Sequence, residues 1–164
     1  MDLSKFITSN AVTMDSMFEG CESLTEIEGI QNWDTSNLES IEEMFYKCTS
    51  LSNLNINAWN TSKIRNMIRA FEWCFSLTEI NISNWDFTNV KEAGGLFGGC
   101  SKIEYITLPT LDLVNCSDFS GVFSGCESLT QVNLPNLTFY GVIDLSSLFN
   151  GCKSLRSIYG ISSL

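Results

Sequence analysis

Cysteines stand at 21, 48, 74, 100, 126 and 152, separated by 27, 26, 26, 26 and 26 residues. A chain with this period is built by giving every copy one conformation and laying the copies side by side. Other columns keep the same register. Three positions before each cysteine is a phenylalanine: Phe18, Phe45, Phe71, Phe97, Phe123 and Phe149. Four before stands Met17, Met44, Ala70, Leu96, Val122 or Leu148. Three after comes Leu24, Leu51, Leu77, Ile103, Leu129 or Leu155, and six after comes Ile27, Leu54, Ile80, Ile106, Val132 or Ile158. About six repeats of 26 residues fill the 164-residue chain, which reads as one repeat domain over residues 1–164 with no linker.

The segment after each cysteine ends in an alternation of period two, continued by Ile56, Ile82, Leu108 and Leu134, which predicts a short strand with one buried face. Gly29 and Gly160 interrupt that position in the first and last copies, where Ile30 and Ile161 follow, and an inserted residue of this kind predicts a bulge. Met1 and Leu3 fall into the same columns, so the first residues read as strand. A further column, Trp33, Trp59 and Trp85, passes to Leu111 and Leu137. Beside it lie Asp34-Thr35-Ser36-Asn37 and its counterparts, turn-forming and helix-capping residues, with Ser36 and Glu39 at capping-box spacing.

Apolar residues then sit ten, seven, four and three before the next cysteine, as in Leu38, Ile41, Met44 and Phe45. This spacing predicts a helix of two turns at most, ended by a left-handed residue at Gly20, Gly99, Gly125 or Gly151. Gly94 and Gly95 weaken one such helix. The units stack with parallel strands on one face and helices on the other, and the bulkier helices make the strand face concave. The expected fold is an α/β, leucine-rich-repeat-like solenoid with about seven parallel strands and six short helices.

The run Trp33-Asp34-Thr35-Ser36-Asn37-Leu38 through Met44-Phe45, Cys48, Ser50-Leu51 and Leu54 resembles the BspA-like leucine-rich repeats of microbial surface proteins, including the form found in mycoplasma lipoproteins. The resemblance covers essentially the whole chain, although the tryptophan and the Thr-Ser turn are lost after residue 109. It implies surface display, adhesion or protein recognition, and hence a cell-surface or secreted location. Met-Asp-Leu-Ser-Lys at residues 1–5 precedes no apolar stretch of a signal peptide, so a native start at Met1 would leave the chain in the cytoplasm.

Composition narrows the partners. The net charge is −10, and residues 1–48 carry ten acids against two bases. Nucleic acid and anionic lipid are disfavoured, partners with basic patches are favoured, and the apolar runs are too short to insert into a membrane. There is no histidine, the commonest general base and metal ligand. Seven cysteines lacking Cys-x-x-Cys spacing read as reduced core thiols, with Cys116 joining the stripe of Ile64, Val90 and Val142. Met14, Met17, Met44 and Met67 read as core fillers. Glu39 and Glu43 share columns with Arg65 and Arg69, which suggests surface ion pairs between repeats rather than acid–base chemistry. Glycosylation sequons occur at Asn60, Asn81, Asn115 and Asn136.

Neither an enzyme nor a cofactor site is expected. The outward strand positions form the expected partner surface: Glu26 and Glu28; Asn53, Asn55 and Asn57; Glu79, Asn81 and Ser83; Tyr105 and Thr107; Gln131 and Asn133; Ser157 and Tyr159. Their amides and hydroxyls suit a protein surface or a glycan, with Tyr105 and Tyr159 as anchors, and the plainer reading is a solvated face with a stacked asparagine ladder. A structural or assembly role, by end-to-end docking through unpaired strands, is the alternative.

Overall fold

A computed structural model describes residues 1–135, 137–138 and 143–160. Six coils, one around each column cysteine, stack at the sequence period. Four three-residue strands occur among the described residues: β1 (Glu79–Asn81), β2 (Tyr105–Thr107), β3 (Gln131–Asn133) and β4 (Ser157–Tyr159). β1 pairs in parallel with β2 (Glu79 opposite Tyr105), and β3 with β4 (Gln131 opposite Ser157). A single bridge joins Asp2 to Glu28. Residues 51–56 form no ladder with either neighbour, and β2 forms none with β3. The strand face is therefore shorter and more broken than the expected seven strands. Ile161, expected in the last strand, and Val142 and Asn136 lie outside the described residues.

The opposite face corrects the helical expectation. No α-helix forms among the described residues; the one helical element is a 3₁₀ turn at Ile30–Asn32, entered through left-handed Gly29 at φ 87°. Where the bulge was expected, a Cβ on Gly29 would lie 2.3 Å from the Ser4 Cα. In place of each helix runs a series of tight turns. In the first coil the N–H groups of Met17, Glu19 and Cys21 donate to the carbonyls of Met14, Ser16 and Phe18 three residues back. The intervening N–H groups, on Met14, Ser16, Phe18 and Gly20, donate to Ser40, Glu42, Met44 and Tyr46 of the next coil at 2.8–3.1 Å. The pattern returns at all five junctions, for example as Glu43 to Ile68, Phe71 to Leu96, Gly95 to Ser120 and Phe123 to Leu148.

This geometry requires two left-handed residues per coil. One lies five before each cysteine (Ser16, Glu43, Arg69, Gly95, Gly121, Ser147) and one directly before it (Gly20, Lys47, Trp73, Gly99, Gly125, Gly151), all with φ between 51° and 74°. A residue with positive φ at the third position of a tight turn reverses the chain, and its recurrence forbids an α-helix. Glycine at 95 thus fits a turn that needs it. The turn spacing keeps the same side chains inward as a helix would, so the apolar stripe is satisfied. Ser36 caps no helix; its N–H donates to Asp34 Oδ1, while the Glu39 N–H crosses to the Val12 carbonyl.

Stacked side chains fill the core. The phenylalanine column forms near-parallel ring pairs from Phe18 to Phe149, with centroids 5.4–6.2 Å apart. Trp33, Trp59 and Trp85 stack at 6.1 and 6.2 Å. The Nε1–H groups of Trp59 and Trp85 donate to the Ile30 and Ile56 carbonyls of the preceding coil; Trp33 Nε1 is buried without a partner among the described residues. Met14, Met44 and Met67 are buried, but Met17 is not: the first coil leaves it, Phe6, Ile7 and Val12 exposed. Thr35 and Thr61 are buried too, each bonding both the N–H and the carbonyl of the same residue in the next coil, Asn60 and Asp86.

Trp73 spans three coils on the turn face: its ring stacks on Tyr46 at 5.5 Å and covers Gly99. A Cβ at Gly99 would lie 2.2 Å from the Trp73 Cδ1, whereas one at Gly20 would meet nothing within 4 Å, although both have similar φ. Gly20→Ala should therefore cost about 1–2 kcal/mol of backbone strain, and Gly99→Ala a further ~1–3 kcal/mol for displacing the indole. Urea denaturation checks this, and the extra cost of Gly99→Ala should largely vanish in a Trp73→Ala background.

Candidate functional site

Alternation along the strand segments sends Ile27, Leu54, Ile80 and Val132 into the core and the intervening side chains outward. Of the fourteen outward positions singled out above, twelve are exposed, while Asn57 and Ser157 are half-buried. Three hollows run along this face, with volumes of about 460, 490 and 370 Å³. The first is lined by Glu26, Glu28, Asn53 and Asn55. The second shares those two asparagines and adds Asn57, Glu79, Asn81, Tyr105 and Thr107. The third shares Tyr105 and Thr107 and adds Gln131, Asn133 and Tyr159. Shared walls make them one continuous track, and each includes a junction at which the strand ladder is interrupted. Ser83 and Ser157 line none of them.

The expected asparagine ladder is not formed among the described residues. Asn57 Oδ1 instead accepts from the Ser83 hydroxyl and the Asn84 N–H of the next coil, and Asn81 Oδ1 accepts from the Ser83 N–H, so both amides are engaged in holding the turn at Ser83 and Asn84. Asn53, Asn55, Gln131 and Asn133 make no side-chain hydrogen bond with another described residue and remain available. Asp2 also lines the first hollow, with Gln31 and Asn32. It was missed from the outward set, although its position between Met1 and Leu3 in the strand columns marks it. Among the described residues the track carries Asp2, Glu26, Glu28 and Glu79 and no lysine or arginine.

The conspicuous cysteines are structural. All seven are free thiols. Cys48, Cys74, Cys100, Cys126 and Cys152 each donate S–H to the phenylalanine-column carbonyl of the preceding coil at 2.9–3.2 Å. Cys116 is buried and donates to the Asp118 carbonyl. Burial pushes the Cys48 thiol up to about 12 and Cys116 up to about 11, and raises Cys74, Cys100 and Cys126 as well. Such thiols are poor nucleophiles. Among the described residues no group of three or more Cys, Asp or Glu is placed to hold a metal, and no helix is long and apolar enough to cross a membrane. The ion pairs form as expected: Arg65 with Glu39 at 4.0 Å and Arg69 with Glu43 at 3.3 Å, the latter arginine also meeting Glu72 at 3.3 Å. The Arg65–Glu39 pair is exposed and stabilises little, while Arg69 meets two half-buried carboxylates, Glu43 and Glu72.

The model of a mycoplasma protein family of unknown function, DUF285, matches residues 1–78 and 66–161. The chain belongs to this family. Two crystal structures of leucine-rich repeat proteins share the fold of this DUF285 chain. One is from T. pallidum (TpLRR), at 22% identity and TM-score 0.60 over 91% of this chain; the other is from Bacteroides ovatus, at 24% identity and TM-score 0.62 over 93%. The chain spans 63% and 36% of their respective lengths. No curated protein matches the sequence. The fold is that of leucine-rich repeat proteins, and the resemblance to BspA-like repeats read from the residue columns holds.

Raised thiol values fix the sign of an alkaline effect. The unfolded chain loses these protons from about pH 9, the folded chain only at higher pH, so the stabilisation is complete below pH 9 and is lost as pH rises toward 12. The melting temperature should fall steadily from pH 9 to 11, and Cys48→Ala should flatten that slope whatever it does to the value at pH 7.

Proposed function

We infer that this chain is a non-catalytic recognition module that binds a protein through its strand face. The observation that carries this reading is the continuous track of three hollows, lined by exposed amides, carboxylates and tyrosines. Its acidic half, at Asp2, Glu26, Glu28 and Glu79, suits a basic patch on the partner and steers encounter at low salt. The partner's aromatic or aliphatic anchors would enter the hollows while its polar rim meets the free amides. Display at the cell surface, and adhesion as the use of that display, follow from the BspA-like resemblance and form part of the same proposal.

A second reading, end-to-end docking, is favoured by the apolar surface of the first coil, where Phe6, Ile7, Val12 and Met17 are exposed. One experiment separates the two. Asn55 and Asn133 are exposed and hold no turn, so Asn55→Arg with Asn133→Arg should leave the melting temperature unchanged and abolish capture of a heterologous protein from cell extracts. Capture that survives the double substitution removes the strand face as the site. Capture of the chain by itself alone, lost on Phe6→Glu, gives the second reading precedence.

A further inference from the structure

The third hollow differs from the other two in chemistry. It lies over the unpaired junction between β2 and β3, holds about 370 Å³, and is lined by Tyr105, Thr107, Leu108, Gln131, Asn133 and Tyr159 together with Ile106. Among the described residues no charged side chain lines it, in a chain of net charge −10 whose other two strand-face hollows each carry carboxylates. Tyr105 and Tyr159 are 53% and 54% exposed, so both rings stand free of the core. The 26-residue period places Tyr105 above Gln131, and Tyr159 pairs with Asn133, so the tyrosines are two strands and two residues apart. That puts their Cα atoms on the order of 12 Å from each other on one face.

We propose that this hollow binds a neutral oligosaccharide, one sugar ring lying between the two tyrosines. The inference rests on the strand-face reading and adds the chemical class of one ligand on it. A pyranose has an apolar C–H face and a rim of hydroxyl groups that both donate and accept. Tyrosine faces match the first. Amide side chains, each with one acceptor and an NH₂ donor, match the second, and Gln131 and Asn133 make no side-chain hydrogen bond with another described residue. One more donor has no partner among the described residues. The N–H groups of Ile82 and Leu134 donate to the Thr107 and Tyr159 carbonyls, but the equivalent N–H of Leu108 donates to no backbone carbonyl of the described residues. An anionic glycan would find no cation in the hollow, and an apolar peptide side chain would bury amides without partners.

The test is the full chain on an array of neutral, sialylated and sulfated oligosaccharides and tyrosine- and proline-rich peptides, followed by saturation-transfer NMR with a retained neutral glycan. The expected result is retention of at least one neutral glycan, weakened about tenfold by either Tyr105→Ala or Tyr159→Ala and unchanged by Glu26→Gln. Both tyrosines are exposed, and unchanged circular dichroism and melting verify the fold of each variant. Retention of no neutral glycan, retention of anionic glycans alone, tyrosine-dependent retention of peptides alone, or neutral binding indifferent to both substitutions would each overturn the proposal. Protein capture abolished by the Asn55/Asn133 double substitution without any glycan binding leaves the recognition module standing and removes only the sugar. Glycan binding without protein capture does the reverse.

Discussion

The structure depends on one backbone arrangement: alternate amides of each turn segment close tight turns, while the amides between them cross to the next coil. Four such crossing bonds occur at every junction, worth roughly 2–6 kcal/mol per junction at typical net values. Because both sets of donors are satisfied, the segment can be buried against its neighbours without orphaned polar groups. The cost is two left-handed residues per coil. Glycine supplies part of them, and Ser16, Glu43, Lys47, Arg69, Trp73 and Ser147 adopt the conformation against their preference, the first five held there by their crossing bonds to the next coil.

With cohesion concentrated on the turn face, the strand face is released from it. β1–β2 and β3–β4 pair, but the neighbouring junctions do not, and the hollows extend across those gaps. The aromatic and thiol stacks keep the coils in register beneath them, since Cys48, Cys74, Cys100, Cys126 and Cys152 and each of two tryptophans reach back to a carbonyl of the previous coil. The outward side chains are thus carried on a rigid support and remain free to vary without disturbing it. That division is what a recognition surface on a repeat scaffold requires.

The period, the burial of Phe45, Cys48, Leu51 and Trp59, and the leucine-rich-repeat architecture were legible in the sequence, because columns at constant spacing report which side chains face inward whatever the backbone does. The helix was misread for the same reason. Leu38, Ile41, Met44 and Phe45 satisfy a helical stripe and a series of tight turns equally. The discriminating signal lay in Gly95 and Gly121, five before their cysteines, but serine, glutamate and arginine elsewhere in that column obscure it. The outward strand residues were legible as a face, Asp2 being omitted. Which amides were free was not legible, because Asn57 and Asn81 look like Asn53 and Asn55 until their hydrogen bonds to Ser83 and Asn84 are seen.

Amide hydrogen exchange followed by NMR tests most directly whether the turn ladder holds the solenoid together. The N–H groups of Glu43, Phe45, Phe71 and Phe97, which cross between coils, should be the slowest to exchange and should approach the global unfolding limit, while those of β1–β4 and of Ile82 and Leu134 exchange sooner. Strand-face amides that outlast the turn-face amides would contradict this account and return the parallel sheet to the role of the scaffold.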